Sequence, residues 1–300
     1  MAGRVVVLTH PACLAHDPGL GHPEAPARLR AIITELQGGP TASRIEWRDA
    51  ELPEPAALER AHSAAYLDHL RAVDRAGGGV LDADTVMGPG SLDAARRAAG
   101  AAVGAARSAL DGVPAFAAVR PPGHHATATR AMGFCLINSV VVAARTATDV
   151  WGLERVLIVD WDVHHGNGTQ DLVERDARIR YVSLHQWPLY PGTGREEERG
   201  VGNVFNVPRP PGLPRAEYVR DLDETVGRAT DGWMPQLVLL SAGFDAMRGD
   251  PLAGFTLEPE DYAEWVTRWH RLGAPMASVL EGGYAPERIA HAAAAHLEAF

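Results

Sequence analysis

The stretch with the clearest potential for chemistry is residues 156–168, Val-Leu-Ile-Val-Asp-Trp-Asp-Val-His-His-Gly-Asn-Gly. The four apolar residues at 156–159 predict a buried strand, and the glycines mark its exit. Because side chains alternate along a strand, we expect Asp160, Asp162 and His164 on one face. Carboxylates and an imidazole at this spacing are typical metal ligands. The alternative is an acidic strand end before a glycine turn, which would leave three titratable groups on a core strand without partners.

Two adjacent histidines, His124 and His125, form a second candidate site. They follow Pro121, Pro122 and Gly123, and the prolines stiffen the turn that carries them. Imidazole is the usual general acid or base near neutral pH. A single loop histidine often has no role, but a tandem pair in a chain that also holds an Asp-x-His pair indicates catalysis.

A further carboxylate follows the apolar run 237–240. The sequence Ser-Ala-Gly-Phe-Asp at 241–245 brings Asp245 to the edge of the sheet where Asp162 and His164 are expected. The three residues would complete a set of two carboxylates and one imidazole, and a catalytic zinc takes three protein ligands and keeps one position open for water. Such an ion polarises a carbonyl and lowers the pKa of its water. Taken alone, Asp245 could instead be a helix cap or a turn residue.

The segment Glu-Gly-Gly-Tyr at 281–284 ends the last predicted strand. Its two glycines let the backbone approach the site closely. The hydroxyl of Tyr284 could then donate a hydrogen bond to an oxyanion that the metal also holds. Without the other candidate residues, a core tyrosine would be the better interpretation of this segment.

The elements that must position these residues alternate between strands and helices. This alternation favours an α/β fold with a mostly parallel central sheet and helices on both faces. Ligands then sit at the carboxyl ends of the strands, where the candidate residues cluster. No repeat or linker divides the chain, so we expect one domain over residues 1–300. The predicted strands are 4–10, 115–120, 156–162, 179–185, 203–207, 237–243 and 276–281, and the clearest predicted helices are 91–111, 134–149, 214–230, 258–272 and 285–299.

Composition and charge argue against several classes of function. The net charge is −10 and no Lys/Arg-rich run occurs, so a general nucleic-acid partner is not expected. No apolar run approaches the roughly 18 residues of a membrane span, and the apolar run at the start is too short for a signal peptide. The two cysteines, Cys13 and Cys135, lack CxxC spacing and indicate a reducing cytoplasm. Oligomeric state is left open.

Two loops are expected around the site. The first, residues 10–28, is interpreted as a rim loop that leads into a helix at about Pro26, because its histidines are spaced by six residues and fit neither a helix face nor a strand face. It contains His10, His16, His22 and Glu24. The second, residues 77–90, is long and rich in glycine, and such loops are often functional. Its Asp82 and Asp84 could grip a substrate backbone or be solvated.

The remaining histidines are not expected in the site. Those at predicted helices or their ends are interpreted as surface or capping residues: His62, His69, His270, His291 and His296. His165 is expected to pack or to orient a neighbour rather than bind metal. No role is assigned to His185.

Seven motifs occur in an order that resembles the zinc-dependent histone deacetylase family, in its class II-like bacterial branch with the acetylpolyamine amidohydrolases. The resemblance runs from about residue 10 to residue 290. The motifs are RPPGHHA (120–126), GFCLIN (133–138), VDWDVHHGNGTQ (159–170), SLH (183–185), YPGTG (190–194), SAGFDAMRGDPL (241–252) and EGGY (281–284).

This resemblance implies an arginase/deacetylase-like fold and a role for each matching residue. The implied zinc ligands are Asp162, His164 and Asp245, and the implied catalytic residues are His124, His125, Tyr284, Asp160 behind His124, and Asn167, which orients His125. Substrate binding is implied for Phe134 and Tyr190, which would wall an acyl-lysine channel, and for Gly133, Leu252 and the rim aspartate, matched to Asp82. The family's structural monovalent cation, potassium, maps to Asp160, Asp162, His164, Ser183 and Leu184.

The implied reaction is hydrolysis of an acetylated amine. Water activated at the metal and deprotonated by His125 would attack the acetyl carbonyl, while Tyr284 stabilises the oxyanion. Acetyl-lysine in proteins or peptides is the expected substrate, since Leu252 follows Gly-Asp-Pro where polyamine-selective relatives can carry an acidic residue. A small acetylated amine such as an acetylpolyamine is the alternative.

Two further hypotheses come from other classes of function. A dimanganese ureohydrolase of the same fold would need additional bridging aspartates near Asp162. A non-catalytic acyl-lysine or partner-binding module would be expected to lose a ligand or Tyr284, and every such residue is present.

Overall fold

The structure, a computed structural model, describes residues 3–300 and confirms the predicted α/β class. The strands are β1 Val5–Thr9, β2 Ile45–Asp49, β3 Gly79–Asp82, β4 Thr85–Met87, β5 Ala115–Ala117, β6 Val156–Asp160, β7 Ile179–Gln186, β8 Val204–Arg209, β9 Leu237–Ala242 and β10 Met276–Leu280. The helices are α1 Pro11–Ala15, α2 Pro26–Gly38, α3 Pro55–Glu59, α4 Ala64–Arg75, α5 Ser91–Leu110, α6 Ser139–Asp149, α7 Asn167–Val173, α8 Arg215–Thr230, α9 Pro259–Trp269 and α10 Pro286–Glu298, with 3₁₀ turns at Ala42–Arg44 and His270–Leu272.

An eight-stranded, all-parallel sheet forms the centre of the fold, in the order β2-β1-β5-β10-β9-β6-β7-β8. Its central strands are buried along their whole length, as the continuous apolar sequence of β6 predicts. Helices α5 and α6 pack together against one part of the sheet, and α2, α9 and α10 form a second packed group. None of the helices in the described part of the chain combines the length and hydropathy that a membrane crossing requires.

The register of the sheet places the carboxyl ends of three strands side by side. Asp160, the last residue of β6, is paired with Ser183 of β7 on one side and with Ser241 of β9 on the other. The loops that leave β6 and β9 therefore start at the same level of the sheet, and their first residues are neighbours. This is the edge at which the predicted site residues were expected.

Strand β6 is shorter than predicted, and this corrects the expectation that three site residues share a strand face. The strand ends at Asp160 because the backbone amides of Asp162 and His164 donate to aspartate side chains instead of to a neighbouring strand. Asp162 N donates to Asp160 Oδ1 (3.1 Å) and His164 N donates to Asp162 Oδ1 (2.9 Å). Such aspartate side-chain bonds compete with sheet hydrogen bonds and turn the chain. Asp162 and His164 therefore lie on a loop held by its own carboxylates.

Other boundaries also differ from the sequence prediction. Helix α6 begins at Ser139 rather than at 134, because Asn138 Oδ1 caps it by accepting from Val141 N (3.1 Å). The predicted helix 258–272 ends at Trp269 and continues as a 3₁₀ turn. The start of α2 at Pro26 is confirmed, although the loop before it contains α1. The loop 77–90 contains the antiparallel hairpin of β3 and β4, which was not predicted.

Two histidines expected at the surface are buried, so that prediction was wrong for them. His62 lies between two chain segments, with Nε2 accepting from Asn138 N (2.9 Å) and Nδ1 lying 2.9 Å from Thr127 O. His296 is fully buried, and its Nε2 lies 2.6 Å from Ser278 Oγ. The helical pattern could not reveal the burial of these two histidines, because the residues that contact them are distant in sequence.

A buried ion cluster ties the first loop to the rest of the fold. Glu24 accepts two hydrogen bonds from the Arg120 guanidinium (2.5 and 2.6 Å) and one from Arg28 Nη1 (2.8 Å), and His16 Nε2 lies 3.2 Å away. All three charged side chains are at most 1% exposed. Burial opposes ionisation of Glu24, but the charge of Arg120 keeps the pKa of this carboxyl well below its usual value. The histidine-rich loop is thus held by an ion cluster.

Removing the carboxylate of this cluster should be costly, because it leaves two arginines buried with a missing partner. We predict that Glu24→Ala lowers the free energy of unfolding by about 3–5 kcal/mol, measured by urea denaturation. The control is Glu264→Ala, which removes an exposed i,i+4 partner of Arg268 and should leave the urea midpoint nearly unchanged. Equal effects of the two substitutions would contradict the importance assigned to the cluster.

Candidate active site

Two aspartates and one histidine converge at the carboxyl edge of the sheet. His164 Nδ1 lies 3.1 Å from Asp162 Oδ1 and 3.1 Å from Asp245 Oδ2. Asp162 and His164 come from the loop after β6, and Asp245 comes from the loop after β9, the neighbouring strand. All three are buried, and their potential ligand atoms lie within 4.8 Å of one another. The structure therefore brings together the three predicted metal ligands.

Glycines make the room that this cluster needs. A Cβ atom on Gly243 would lie 2.1 Å from Asp162 Oδ2, and one on Gly282 would lie 2.2 Å from Asp245 Oδ2 and 2.5 Å from Asp162 Oδ2. No other residue type could take either position without moving the carboxylates. The two remaining carboxylate oxygens are oriented by backbone amides as well, since Val163 N donates to Asp245 Oδ1 (2.8 Å) and Gly282 N to Asp162 Oδ2 (2.8 Å).

The charges in this cluster fit a bound cation. Burial and the neighbouring charge of Asp162 raise the pKa of Asp245 to about 7. Burial also opposes ionisation of Asp162, but the charge of His124 and the hydrogen bonds of His164 hold its pKa below the usual value. Two facing carboxylates with one imidazole are the donor set of a catalytic zinc, and a divalent ion would remove their mutual repulsion.

The tandem histidines stand beside this cluster in two different environments. His124 Nδ1 lies 3.1 Å from Asp160 Oδ2, whereas His125 Nδ1 donates to Asn167 Oδ1 (2.8 Å). The two rings are 4.0 Å apart. Burial would lower the pKa of His124, but the carboxylates of Asp162 and Asp160 raise it to about 10. Burial and the charge of His124 hold the pKa of His125 well below its usual value.

This difference separates the chemistry available to the two rings. His124 is suited to remain an imidazolium. His125 is suited to remain neutral, with its proton on Nδ1 facing Asn167 and its Nε2 free to accept another. A neutral amide at position 167 fixes the ring of His125 without the charge that would raise its pKa.

Aromatic rings border the cluster on the side open to solvent. The Tyr190 ring lies 5.2 Å from the His125 ring, and the Phe134 ring lies 5.7 Å from the ring of Tyr284. Gly133 packs closely against His125 and Tyr190, because a Cβ there would lie 2.3 Å from His125 Cδ2 and 3.0 Å from Tyr190 Cε1. These predicted substrate-binding residues thus line one approach to the cluster.

The two rim aspartates have different surroundings. Asp82 accepts from Arg130 Nη2 (2.9 Å) and from Ala83 N (2.8 Å). Asp84 Oδ1 instead accepts from Gly133 N (3.2 Å), so Asp84 lies against the channel wall. The role of Asp82 in gripping a substrate remains a prediction, but the sequence-based preference for Asp82 over Asp84 gains no support from these contacts.

The predicted monovalent-cation residues also lie together below the strand ends. Asp160 Oδ2 accepts from Tyr181 Oη (2.9 Å), and the hydroxyl of Ser183 lies 2.9 Å from His185 Nδ1. Leu184 follows in the same buried strand. The presence of potassium here stays a prediction.

Several residues that build the site were missed by sequence reasoning. Glu281 Oε2 accepts from Gly123 N (2.6 Å) and His124 N (3.1 Å), and its Oε1 accepts from Ser241 Oγ (3.0 Å). This fully buried carboxylate holds the backbone of the tandem histidines. Its one sequence signal is an acidic residue directly after an apolar strand. His165 contacts Thr193 Oγ1 and Gln170 Oε1 and is not part of the ligand cluster, as expected.

The chain is similar to known proteins along most of its length. The histone deacetylase domain family model matches residues 22–300. The chain belongs to the histone deacetylase family. A histone deacetylase-like amidohydrolase of Pseudomonas aeruginosa is 37% identical over 88% of this chain and 73% of its own length, and an uncharacterized protein of Synechocystis sp. is 42% identical over 93% and 94%. The crystal structure of the HDA15 HD domain matches with a TM-score of 0.94 and 36% identity, over 99% of this chain and 88% of that one.

The family assignment confirms the resemblance found in the motifs. As a histone deacetylase-family protein with a buried Asp-His-Asp cluster, the chain is a deacetylase or amidohydrolase. The ureohydrolase and non-catalytic hypotheses therefore lose their support.

The neutral partner of His125 gives a test of its titration. Asn167→Asp places a negative charge 2.8 Å from His125 Nδ1, which favours the protonated ring and raises its pKa. A base with a raised pKa is protonated over more of the acidic range. The acidic limb of kcat/KM against pH should therefore move to higher pH, by about one pH unit or more.

The control for this experiment adds the same negative charge at the amino ends of the strands, away from the site. Gln236 accepts from the backbone amides of Glu154 and Arg155 before β6 begins, so Gln236→Glu should leave the pH profile in place. An unmoved acidic limb in Asn167→Asp would contradict titration of His125 as the essential base.

Proposed function

We propose that this chain is a zinc-dependent deacetylase that removes acetyl groups from the side chain of N-ε-acetyl-lysine in proteins or peptides. The observation that carries the proposal is the buried cluster of Asp162, His164 and Asp245 beside one cationic and one neutral histidine. Hydrolysis of an unactivated amide needs both an electrophilic centre and a base, and this arrangement provides a place for each.

Zinc is the proposed ion because the donors are two carboxylates and one imidazole, which leave a fourth position open. When bound there, zinc would supply Lewis acidity, polarising the amide carbonyl and lowering the pKa of a water. The other steps belong to side chains of the protein. His125 Nε2 takes the proton of the attacking water and returns it to the departing amine, since its Nδ1 is already bonded to Asn167.

Charge stabilisation is assigned to two further groups. The hydroxyl of Tyr284 donates to the developing oxyanion, in a site where water is largely excluded and such a bond is worth more than in solution. His124 stays protonated through Asp160 and stabilises negative charge without transferring its proton. Glu281 and Asn167 hold the two histidines in place.

The proposed substrate follows from the walls of the approach. The rings of Phe134 and Tyr190, with Gly133 packed against Tyr190, suit the apolar butylene chain of a lysine. Leu252 adds no charge to attract a polyamine chain. The carboxylate of Asp82, at the rim, is proposed to hold a substrate backbone, although it also forms an ion pair with Arg130.

We also propose a structural potassium ion at Asp160, Asp162, His164, Ser183 and Leu184. In the described part of the chain, the backbone carbonyls of Asp162 and His164 accept no hydrogen bond, which supports a cation there.

Residues 1–300 are proposed to form one catalytic domain, since one sheet takes strands from Val5 to Leu280. A cytoplasmic location is proposed from the two buried free cysteines.

A substrate panel tests the proposal most directly. We expect acetyl-lysine peptides to give a higher kcat/KM than free acetyl-lysine or acetylated polyamines. A kcat/KM that favours polyamines by more than about tenfold, or about 1.4 kcal/mol, would instead support the small-amine alternative. Activity should disappear after chelation and return with zinc. Full activity in protein shown by elemental analysis to be free of metal would contradict the metal-dependent reaction.

A further inference from the structure

The backbone of the loop that carries Tyr284 is held by buried charged side chains. Arg28 donates from Nε to Gly283 O and from Nη2 to Glu281 O, both at 2.5 Å, and its guanidinium lies 4.9 Å from the centre of the Tyr284 ring. Gly282 N donates to the candidate ligand Asp162. The remaining contact is the one that fixes Tyr284 itself.

That contact is made by Asp250, a residue of the loop after β9. Its Oδ2 accepts from Tyr284 N at 2.7 Å, and its Oδ1 accepts from Leu252 N at 2.9 Å. Asp250 is only 6% exposed. Both carboxylate oxygens are therefore used on backbone amides, one local and one 34 residues away.

A carboxylate that capped only its own turn would need just the bond to Leu252. The second bond joins the turn at Leu252 to the backbone of Tyr284. Bonds of a charged acceptor to a backbone amide are short and stronger than neutral ones. Because a phenol hydroxyl lies far from its own backbone, a small tilt of the chain at Tyr284 becomes a larger displacement of the donor. Misplacement by about 1 Å can cost about a hundredfold in rate.

We infer that Asp250 is a positioning residue for Tyr284: its carboxylate sets the position of the tyrosine hydroxyl and couples that position to the turn at Leu252. The inference rests on the proposed function, in which Tyr284 stabilises the oxyanion. It assigns to Asp250 no contact with the substrate and no proton transfer.

A double-mutant cycle on the zinc-loaded protein tests this coupling. The proteins are the wild type, Asp250→Asn, Tyr284→Phe and the double variant, assayed for kcat, KM and zinc content on one acetyl-lysine peptide. Asparagine keeps the shape but turns an amide NH₂ towards one of the two N–H donors. We expect Asp250→Asn to lower kcat by about ten- to a hundredfold with KM changed less than about threefold. Tyr284→Phe should lower kcat by about a hundredfold or more.

The decisive quantity is the kcat of the double variant relative to that of Tyr284→Phe. If Asp250 acts through Tyr284, its loss costs little once the hydroxyl is gone, and the double variant should lie within about threefold of Tyr284→Phe. If the kcat loss of the double variant equals the product of the two single losses, the inference is overturned. Loss of zinc from Asp250→Asn would also overturn it. Unchanged kcat in Tyr284→Phe alone would instead remove the oxyanion role from the proposed function, so the two failures are distinguishable.

A matched control separates positioning from stability. Asp261 is also buried, and its Oδ2 accepts from Glu258 N (2.8 Å) at the start of α9. Asp261→Asn should lower Tm and leave kcat unchanged; an equal fall in kcat would overturn the inference by assigning the effect to general loosening. If Asp250→Asn does not fold, Asp250→Glu replaces it in the same cycle, because it keeps the charge but displaces it by one methylene, and the same non-additivity is expected.

Discussion

Two carboxylates that face each other inside the protein impose the constraint on which this site depends. Asp162 and Asp245 are fully buried, and an imidazole lies 3.1 Å from both. Like charges in such a place repel and lose hydration, so they persist only where a cation or hydrogen-bond donors compensate them. The parallel sheet brings them together by placing β6 and β9 side by side. Gly243 and Gly282 then leave the space that the carboxylates occupy, and Gly282 N donates to Asp162.

The negative charge of the buried carboxylates gives the two tandem histidines, His124 and His125, different pKa values. The carboxylates of Asp162 and Asp160 raise the pKa of His124 and favour its cationic form, and the charge of His124 in turn disfavours protonation of His125. A carboxylate in place of Asn167 would weaken this difference. The buried carboxylate of Glu281 accepts hydrogen bonds from the backbone amides of Gly123 and His124. The positions of the two histidines therefore depend on a strand end that is far from them in sequence. The buried carboxylates thus favour a cation at the Asp162, His164 and Asp245 cluster and a positive charge on His124.

The sequence was most informative where the signal was local. Apolar runs predicted the strands of the central sheet within a few residues, except β2, and the motifs at their ends identified the residues that converge. Strand β2 was missed because it lies at the edge of the sheet, where none of its residues is buried, and its sequence, Ile-Glu-Trp-Arg-Asp, is largely polar. The end of β6 was misplaced because side-chain bonds from Asp160 and Asp162 replaced the ladder, an outcome that periodicity does not encode.

Contacts between distant segments were not predictable in the same way. Glu24 and Arg120 are 96 residues apart and Asp250 and Tyr284 are 34 apart, and nothing local marks them as partners. A histidine in a helical pattern likewise does not reveal that its face is covered, as His296 illustrates.

The central claim, that one divalent ion sits between Asp162, His164 and Asp245, is tested most directly by anomalous diffraction at the zinc edge from crystals of the zinc-loaded protein. The account predicts a single strong peak about 2.0–2.2 Å from His164 Nδ1 and from one oxygen of each aspartate. The other group of buried donors that could hold an ion, His124, Cys135 and Glu281, should show none. A peak at that second group, or no peak at the first, would contradict the account.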